Sequence, residues 1–392
     1  MYVKRKIAIF TGNRAEYGLW FPILKTISED KRLDYKLLVS GAHLKETFGN
    51  TLSEINKDGF EIYKEIKIDH FDDNLPGTTL GIASAIKNTC RCLSELEPDI
   101  LVIYADRFES FGALIAGTQM GIPTAHIEGG DYTEGGALDD SVRHAMTKLA
   151  HLHFTTNEPA AERVRKLGEE AWRVHNVGSP SLDSINSKDY ASFDEIRERI
   201  PINADEPLLL FTQHSIATEW EQAANQIKPS IEALEKAALE LNCQILMTYP
   251  NDDAGSQAMI MELENLRKRQ IPNIHLVRHL GRYLYHGALA ISSACIGNSS
   301  SGIKETPAFK CPFVNIGNRQ KGRLRADNII EVSYDTQEIF SAIKKSLFDE
   351  EFKDQVRHCQ NPYGSGNAGK KISDILATVP LNKELIHKKM SY

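Results

Sequence analysis

The chain has 392 residues, more than one hydrophobic core usually supports, and its 41% hydrophobic and 25% charged residues predict two globular domains. It contains no run of about eighteen apolar residues, so a membrane span is not expected. A formal net charge of -7 without a long basic stripe argues against a nucleic-acid partner.

The first half of the chain alternates strand-like and helix-like segments, which is typical of βαβ units around a parallel sheet. The basic and then apolar amino terminus meets Gly12-Asn13-Arg14 instead of a cleavage site, so we interpret it as a strand and expect a cytoplasmic protein. The predicted strands are 7–11, 35–40, 59–66, 99–104, 123–127, 152–156 and one ending at Gly178. The predicted helices are 17–29, 78–96, 109–120, 139–150 and 158–167.

A change of composition at residues 179–207, which are rich in Ser, Asp and Pro, predicts the domain boundary. We expect one Rossmann-like domain over residues 1–179 and a second over 180–392 that includes the carboxy-terminal helices and ends in a loose Lys388-Lys389 tail. The second domain has predicted strands at 208–212, 243–249, 274–277, 288–296 and 312–316, and predicted helices at 219–241 and 256–269. Ligands of such α/β sheets bind beyond the carboxyl ends of the strands.

The densest cluster of titratable residues lies between a predicted strand and a predicted helix, at residues 125–144. Its acidic and histidine residues are His126, Glu128, Asp131, Glu134, Asp139, Asp140 and His144. Crowded carboxylates repel one another and raise some pKa values, which provides acid and base partners of one residue type. The alternative is a helix cap with two solvated ion pairs at four-residue spacing, Asp139 with Arg143 and Asp140 with His144.

Two further loops follow predicted strands of the first half. Gly12 to Gly18 is a glycine loop entering a helix, where Arg14 could grip a phosphate; the alternative is a tight turn with a surface Arg–Glu pair. The loop matches neither the G-x-G-x-x-G nor the Walker pattern, which disfavours a nicotinamide enzyme or a kinase. Asp106 and Arg107 directly follow an apolar strand, although Asp106 could merely cap the next helix.

In the second half, a strand, a hydroxyl-rich turn and a helix predict a diphosphate site at Ser299, Ser300 and Ser301. A serine cap, worth only about 1 kcal/mol, would not account for three serines in a row. Glu305, about one turn later, could accept hydrogen bonds from ribose hydroxyls. His214 ends another apolar strand, and Arg319 and Arg323 add positive charge.

The six cysteines are scattered, and the only close pair, Cys90 and Cys92, has no second pair to complete a zinc site. We therefore expect reduced structural thiols, no metal site and no cofactor.

Taken together, these motifs resemble the hydrolysing UDP-N-acetylglucosamine 2-epimerases of sialic-acid biosynthesis and their relatives that act on UDP-2,4-diacetamido-2,4,6-trideoxyglucose for legionaminic acid. The resemblance spans nearly the whole chain. It rests on residues 11–17, 106–107, 126–130, 139–144, 297–302 and 317–320, in this order. It implies two Rossmann-like domains in a GT-B arrangement, with the nucleotide-sugar in the inter-domain cleft, and a homodimer or homotetramer.

The resemblance also implies roles for individual residues. Asp106, Glu128 and Asp139 match the catalytic carboxylates, and His214 matches a histidine near the sugar and diphosphate. The implied substrate-binding residues are Arg14, Arg107, Asp131, Asp140, Ser299, Ser300, Ser301, Gly302, Glu305 and Arg319. This chain has two more residues between Glu128 and Asp139 than the animal enzymes, so either Asp139 or Asp140 takes the catalytic role.

The carboxylates suit the chemistry that the resemblance implies. The C2 proton of the sugar is not acidic, so it can leave only as the C1–O bond to UDP breaks and positive charge builds on the ring. The resulting glycal gains water at C1 and a proton at C2 on the opposite face, which requires a second acid. We expect Asp106 and Asp139 to transfer protons and Glu128 to orient or share one.

Three other functions are possible for the same motifs. A GT-B glycosyltransferase would share the fold but need an acceptor groove, a non-hydrolysing epimerase would release no UDP, and a nucleotide-sugar sensor would bind without turnover.

Overall fold

The computed structural model describes residues 4–44, 51–69, 75–131, 138–251 and 254–391; for residues 14, 15, 51, 75, 138, 139 and 217 it describes the backbone only. Two sequence-predicted site side chains, those of Arg14 and Asp139, therefore lie outside the described part, as does residue Glu134. Among the described residues, no helix has both the length and the apolar character needed to cross a bilayer.

The first sheet has seven parallel strands in the order β3-β2-β1-β4-β5-β6-β7. These strands are β1 (Arg5–Thr11), β2 (Leu33–Ser40), β3 (Ile62–Ile66), β4 (Ile100–Tyr104), β5 (Thr124–Ile127), β6 (Leu152–Thr155) and β7 (Val174–Asn176). The helices between and after them are α1 (Arg14–Glu29), α2 (Thr51–Lys57), α3 (Leu75–Leu96), α4 (Phe108–Gln119), α5 (Leu138–Leu149), α6 (Glu158–Lys166) and α7 (Ser181–Asn186), with 3₁₀ turns at Gly41–Leu44 and Ala171–Arg173.

The second sheet has six parallel strands in the order β10-β9-β8-β11-β12-β13. Its strands are β8 (Leu208–Thr212), β9 (Gln244–Thr248), β10 (Ile274–Val277), β11 (Ala294–Gly297), β12 (Phe313–Ile316) and β13 (Ile329–Val332). The remaining helices are α8 (Phe193–Arg197), α9 (Ala223–Glu240) after a 3₁₀ turn at Ala217–Gln222, α10 (Ser256–Lys268), α11 (Gly281–Ile291), α12 (Ser300–Lys304), α13 (Thr306–Phe309), α14 (Thr336–Phe348), α15 (Glu350–His358), α16 (Ala368–Thr378) and α17 (Lys383–Ile386).

Both faces of the first sheet are covered, as the apolar strand patterns predict. In β1, Ile7 and Ile9 belong to one buried cluster, whereas Ala8 and Phe10 belong to another. Alternate residues of a strand point to opposite faces, so each cluster is the interface with one helical layer. Strands β4 and β8 are buried along their whole length. The predicted class, two α/β Rossmann-like domains with parallel sheets, is therefore correct.

The chain forms two compact units, and the last thirty residues do not follow the predicted division at residues 179 and 180. The first unit comprises Met1–Asp131, Leu138–Asp183 and Tyr363–Tyr392, and the second includes Ser184–Pro362. Helix α16 belongs to the first unit because its apolar face, with Ile372 and Leu376, lies in the same buried cluster as β1. The Asp183 carboxylate also accepts the first backbone N–H groups of α16.

Two local predictions were wrong. Residues 288–296 were expected to form one strand, but 288–291 are the last turn of α11 and β11 starts only at Ala294, because a short apolar run is equally compatible with a buried helix end. The Lys388 tail was expected to be loose, but its Nζ donates to the carbonyls of Lys148 and Ala150, both at 2.6 Å, and pairs with Glu169 at 2.8 Å.

Candidate active site

The turn after β4 presents Asp106 without using it as a helix cap. Arg107 occupies the N-cap position of α4, and its side chain makes no capping hydrogen bond. Ala105 has a left-handed backbone with φ of +53°, an uncommon conformation for a residue other than glycine. This turn places Asp106 at the carboxyl end of the sheet, so the alternative that Asp106 merely caps α4 is wrong.

Arg143 on α5 gathers three of the acidic residues that the sequence singled out. Its guanidinium forms ion pairs with Asp106 and with Asp140, the latter at 3.2 Å, and donates to the backbone carbonyl of Asp131 at 2.9 Å. The Arg143 and Asp140 side chains are only 5% and 6% exposed. The helix-cap alternative required two solvated pairs, Asp139 with Arg143 and Asp140 with His144. Arg143 instead pairs with Asp140, and this pair is buried, so three acidic residues contact one buried cation.

The cluster keeps Arg143 charged despite its burial. Burial lowers the pKa of Arg143, but Asp106, Asp131 and Asp140 outweigh this effect and raise the pKa above its ordinary value. A buried charge is tolerated when it is paired and hydrogen-bonded in this way. The cluster thus presents an ion-paired carboxylate at Asp106 beside a fixed positive charge.

Glu128 follows β5, the strand next to β4 in the sheet. It is buried, with φ of +68°, and its backbone N–H donates to the Phe154 carbonyl at 2.8 Å. Because Tyr104 and Ile127 are paired at the ends of the two strands, Asp106 and Glu128 leave the sheet at the same edge. Arg107, in contrast, is ion-paired with Glu109 at 3.4 Å.

The glycine loop after β1 contains a buried acid. Glu16 is 5% exposed and accepts the Gly12 backbone N–H at 2.9 Å, while Asn13 caps α1. Burial, reinforced by Glu109 and opposed by the Gly12 N–H, raises the pKa of Glu16 to about 8. The alternative of a surface Arg–Glu pair is therefore wrong for Glu16. Its carboxylate is buried and holds the loop through the Gly12 N–H.

In the second unit, His214 is held by Asn298 and by a backbone amide. The Asn298 side chain accepts the backbone N–H of His214 at 2.7 Å and donates to the His214 backbone carbonyl at 2.8 Å. His214 Nδ1 accepts the Asn251 N–H at 3.0 Å, so the neutral ring carries its proton on Nε2. Burial, with Arg319 nearby, lowers the pKa of His214 to about 3, and the ring is neutral at physiological pH.

The serine turn joins β11 to a helix of only five residues. Ser299 Oγ accepts the Ser301 N–H at 3.3 Å, and Ser301 Oγ donates to Glu305 at 2.6 Å. Glu305 also pairs with His286 at 3.3 Å. A helix this short has little macrodipole, so any anion here would be bound by hydroxyl and N–H groups.

Two glycines, one at the end of β11 and one inside α12, are required by packing. Gly297 has φ of +130°, and a Cβ there would lie 1.9 Å from the Thr212 carbonyl oxygen. A Cβ on Gly302 would lie 2.2 Å from the Phe313 ring. Gly302, predicted as a substrate-binding residue, therefore has a packing role in addition to any contact through its backbone.

Three residues that organise these clusters were not predicted as site residues from the sequence. Arg143 appeared only as a surface partner, and Asn298 and His286 were not considered. The backbone carbonyl of Asn298 also accepts hydrogen bonds from Gln320 Nε2 at 2.7 Å and from Arg319 Nη1 at 3.3 Å, so Asn298 links three loops. Its position directly after the strand-ending Gly297 was the available signal.

Within the described ranges, no group of three or more His, Cys, Asp or Glu residues is arranged to hold a metal ion. The six cysteines are free thiols, and five of them are buried.

Comparison with known proteins decides the family. A family model described as UDP-N-acetylglucosamine 2-epimerase matches residues 25–377. The chain belongs to this epimerase family. Accordingly it is an enzyme of the UDP-sugar 2-epimerase kind, and a glycosyltransferase is not favoured.

Relatives within and around the family agree with this assignment. The chain is 31% identical over 388 residues to the UDP-N,N'-diacetylbacillosamine 2-epimerase (hydrolyzing) of Legionella pneumophila, covering 99% of this chain and 100% of that protein. It is 34% identical to the GDP/UDP-N,N'-diacetylbacillosamine 2-epimerase (hydrolyzing) of Campylobacter jejuni, covering 88% and 89%. A UDP-GlcNAc 2-epimerase structure from Neisseria meningitidis, bound to UDP-GlcNAc, has a TM-score of 0.81 at 18% identity, covering 95% and 99%, and supports the fold.

Proposed function

We propose that this epimerase is hydrolysing: it converts a UDP-2-acetamido sugar and water into UDP and the free sugar inverted at C2. The observation that supports the proposal most directly is the Arg143 cluster, in which one buried guanidinium pairs with both Asp106 and Asp140. The names of the relatives from Legionella and Campylobacter, both hydrolysing epimerases, agree with it.

The first step breaks the C1–O bond to UDP and removes the C2 proton, giving a glycal. We assign the base to Asp106, because an ion-paired carboxylate is the form that accepts a proton. Water then adds OH to C1 and releases its other proton to solvent, and an acid delivers a proton to C2 from the opposite face. Asp140 is engaged in a buried ion pair with Arg143, so we assign this acid to Asp139 and an orienting role to Glu128.

The other predicted site residues suit binding of the nucleotide. We propose that His214 donates its Nε2–H to the diphosphate, because its neutral ring is oriented by the Asn251 N–H and its backbone is held by Asn298. Ser299, Ser300, Ser301 and Arg319 would add donors for the phosphates, and Glu305 would accept ribose hydroxyls. Arg14, Arg107 and Asp131 remain predicted substrate contacts. That the carboxylates of the first unit and the donors of the second bind one substrate molecule also remains a prediction.

Two sugars are candidates. UDP-N-acetylglucosamine, which would give N-acetylmannosamine for sialic acid, follows from the sequence motifs. UDP-N,N'-diacetylbacillosamine, which is the 2,4-diacetamido-2,4,6-trideoxyglucose derivative of the legionaminic acid route, is supported by the names of the relatives from Legionella and Campylobacter. Comparing kcat/KM for the two UDP-sugars identifies the substrate.

The proposed reaction is tested by incubation in deuterated water. Equal amounts of UDP and free sugar should form, with one deuterium at C2 of the product. A product without deuterium at C2 would exclude the elimination mechanism, and release of sugar only with an acceptor would indicate a transferase.

Single substitutions test the assigned roles. Asp106→Asn and Asp139→Asn should abolish UDP release while UDP still binds, whereas Asp140→Asn should lower stability and retain measurable turnover. Asp34→Asn is the control, because Asp34 forms a surface ion pair with Lys36 at 3.0 Å. Full activity of Asp139→Asn together with an inactive Asp140→Asn would reverse the assignment.

We further propose a cytoplasmic homo-oligomer, a dimer or tetramer, as the family resemblance implies. Sedimentation of the purified protein measures the oligomeric state, and a monomer at working concentration would exclude it.

A further inference from the structure

His126 lies in β5 and is fully buried. It bonds the turn that carries Asp106 and helix α5, which carries Arg143. Its Nε2 is 2.6 Å from the carbonyl oxygen of Ala105, in the turn after β4. Its Nδ1 is 3.2 Å from Thr147 Oγ1, on helix α5. One imidazole therefore bonds both the turn that presents Asp106 and the helix that holds Arg143.

The protonation of this ring follows from its partners. A carbonyl oxygen can only accept a hydrogen bond, so Nε2 carries the proton. Burial, only partly opposed by the Ala105 carbonyl, lowers the pKa of His126 to about 3, so the ring is neutral and Nδ1 accepts from the Thr147 hydroxyl. The neutral side chain thus has a fixed tautomer, one donor and one acceptor, and both are used.

The hydrogen bond from His126 reaches Ala105, whose left-handed backbone conformation is unfavourable for a residue other than glycine. Ala105 has φ of +53°, and Asp106 is the next residue. Such a conformation persists only when surrounding contacts enforce it. Thr147 lies one helical turn after Arg143, the ion-pair partner of Asp106, so α5 is tied to the same turn at two successive points.

The packing around His126 allows little movement. A Cβ on Gly129 would lie 2.7 Å from Thr147 Oγ1 and 3.0 Å from His126 Nδ1. The glycine after Glu128 therefore leaves the space in which the imidazole reaches helix α5.

We propose that His126 is a positioning residue for the proposed base Asp106, acting through its Nε2–H bond to the Ala105 carbonyl. This inference depends on the proposed epimerase function. His126 transfers no proton; it fixes the peptide that precedes Asp106, and so sets the position of the carboxylate relative to C2 of the sugar.

The test compares two amides at position 126. The longer His126→Gln side chain places its amide N–H near the position of Nε2 and should restore the bond to Ala105, whereas His126→Asn is too short. We expect His126→Asn to lower kcat by about 10- to 100-fold, as a small misplacement of a reacting group does, with KM nearly unchanged. His126→Gln should recover most of kcat.

Three further measurements separate positioning from other roles. Titration with UDP measures the concentration of folded sites that bind UDP, and kcat is calculated per folded site. The pH profile of kcat in His126→Gln should coincide with the wild-type profile, since the ring is neutral. Thr147→Ser should retain activity, and Thr147→Val should lose part of it.

Several outcomes would overturn the proposal. If kcat per folded site is unchanged in His126→Asn, the residue is only structural. If His126→Gln is as inactive as His126→Asn, or loses a limb of the pH profile, His126 acts otherwise than through Ala105. Failure of the function itself is seen separately, because the wild type would then release no UDP.

Discussion

Arg143 is the residue on which the acidic cluster depends, because one guanidinium neutralises two carboxylates in a buried site. Arg143→Met should leave both carboxylates without their cation and lower the free energy of unfolding by about 3–5 kcal/mol. Arg143→Lys keeps the charge but not the planar fork, so it should retain stability better than activity. Denaturant unfolding and UDP release measure these effects.

Arg32→Lys is the matched control for Arg143→Lys, since Arg32 also pairs with two carboxylates but on the surface. Wild-type stability and activity in Arg143→Met would contradict the prediction.

Glu16 predicts a dependence of stability on pH. Its folded pKa of about 8 lies above its ordinary value of 4.5, so its contribution to stability is fully present below about pH 4.5 and is lost as pH rises toward 8. Glu16→Gln can still accept the Gly12 N–H without ionising. The Tm of this variant relative to wild type should therefore rise between pH 5 and pH 8, by the equivalent of a few kcal/mol at about 1.36 kcal/mol per pH unit. Glu29→Gln, at an exposed position of the same helix, is the control variant. A constant difference for Glu16→Gln would refute the prediction.

At the scale of elements, the sequence predicted the strands best where burial is continuous. The predicted strand 208–212 coincides with β8, and 99–104 differs from β4 by one residue, because an unbroken apolar run between polar turns specifies a central parallel strand. Strand β13, four residues that are all at least partly exposed, was missed, although the equally short and partly exposed β10 was predicted with its exact bounds. The site was predicted as a set of loops, but not the role of Arg143, because spacing within one helix does not reveal a partner on another loop.

Helix α12 gives a prediction about packing. Gly302→Ala should force the Phe313 ring to move and destabilise the protein by about 1–3 kcal/mol, with weaker UDP binding because the serines lie on the same turn. Adding Phe313→Leu, which makes room for the methyl group, should recover part of both losses. A double-mutant cycle of Tm and UDP affinity measures the coupling. Strict additivity of the two substitutions would show that the contact is not the cause.

For the whole molecule, the arrangement of segments means that the first unit needs residues of Tyr363–Tyr392 to complete its core. Helix α16 places Ile372 in the buried cluster that contains β1 and Trp20, although more than three hundred residues separate them in sequence. Ile372→Ala should therefore destabilise the first unit by about 2–5 kcal/mol, as truncation of a core side chain does. Lys370→Ala is the control, because Lys370 is exposed on the same helix.

Amide hydrogen exchange reports which unit is affected. In Ile372→Ala, the amides of β1 and β2 should lose protection, while those of β8 and β9 should exchange as in the wild type, because Ile372 packs only within the first core. The predicted division at residue 180 would give the opposite pattern, with loss of protection confined to the second sheet. The experiment thus distinguishes a domain defined by continuous sequence from a unit completed by its last thirty residues.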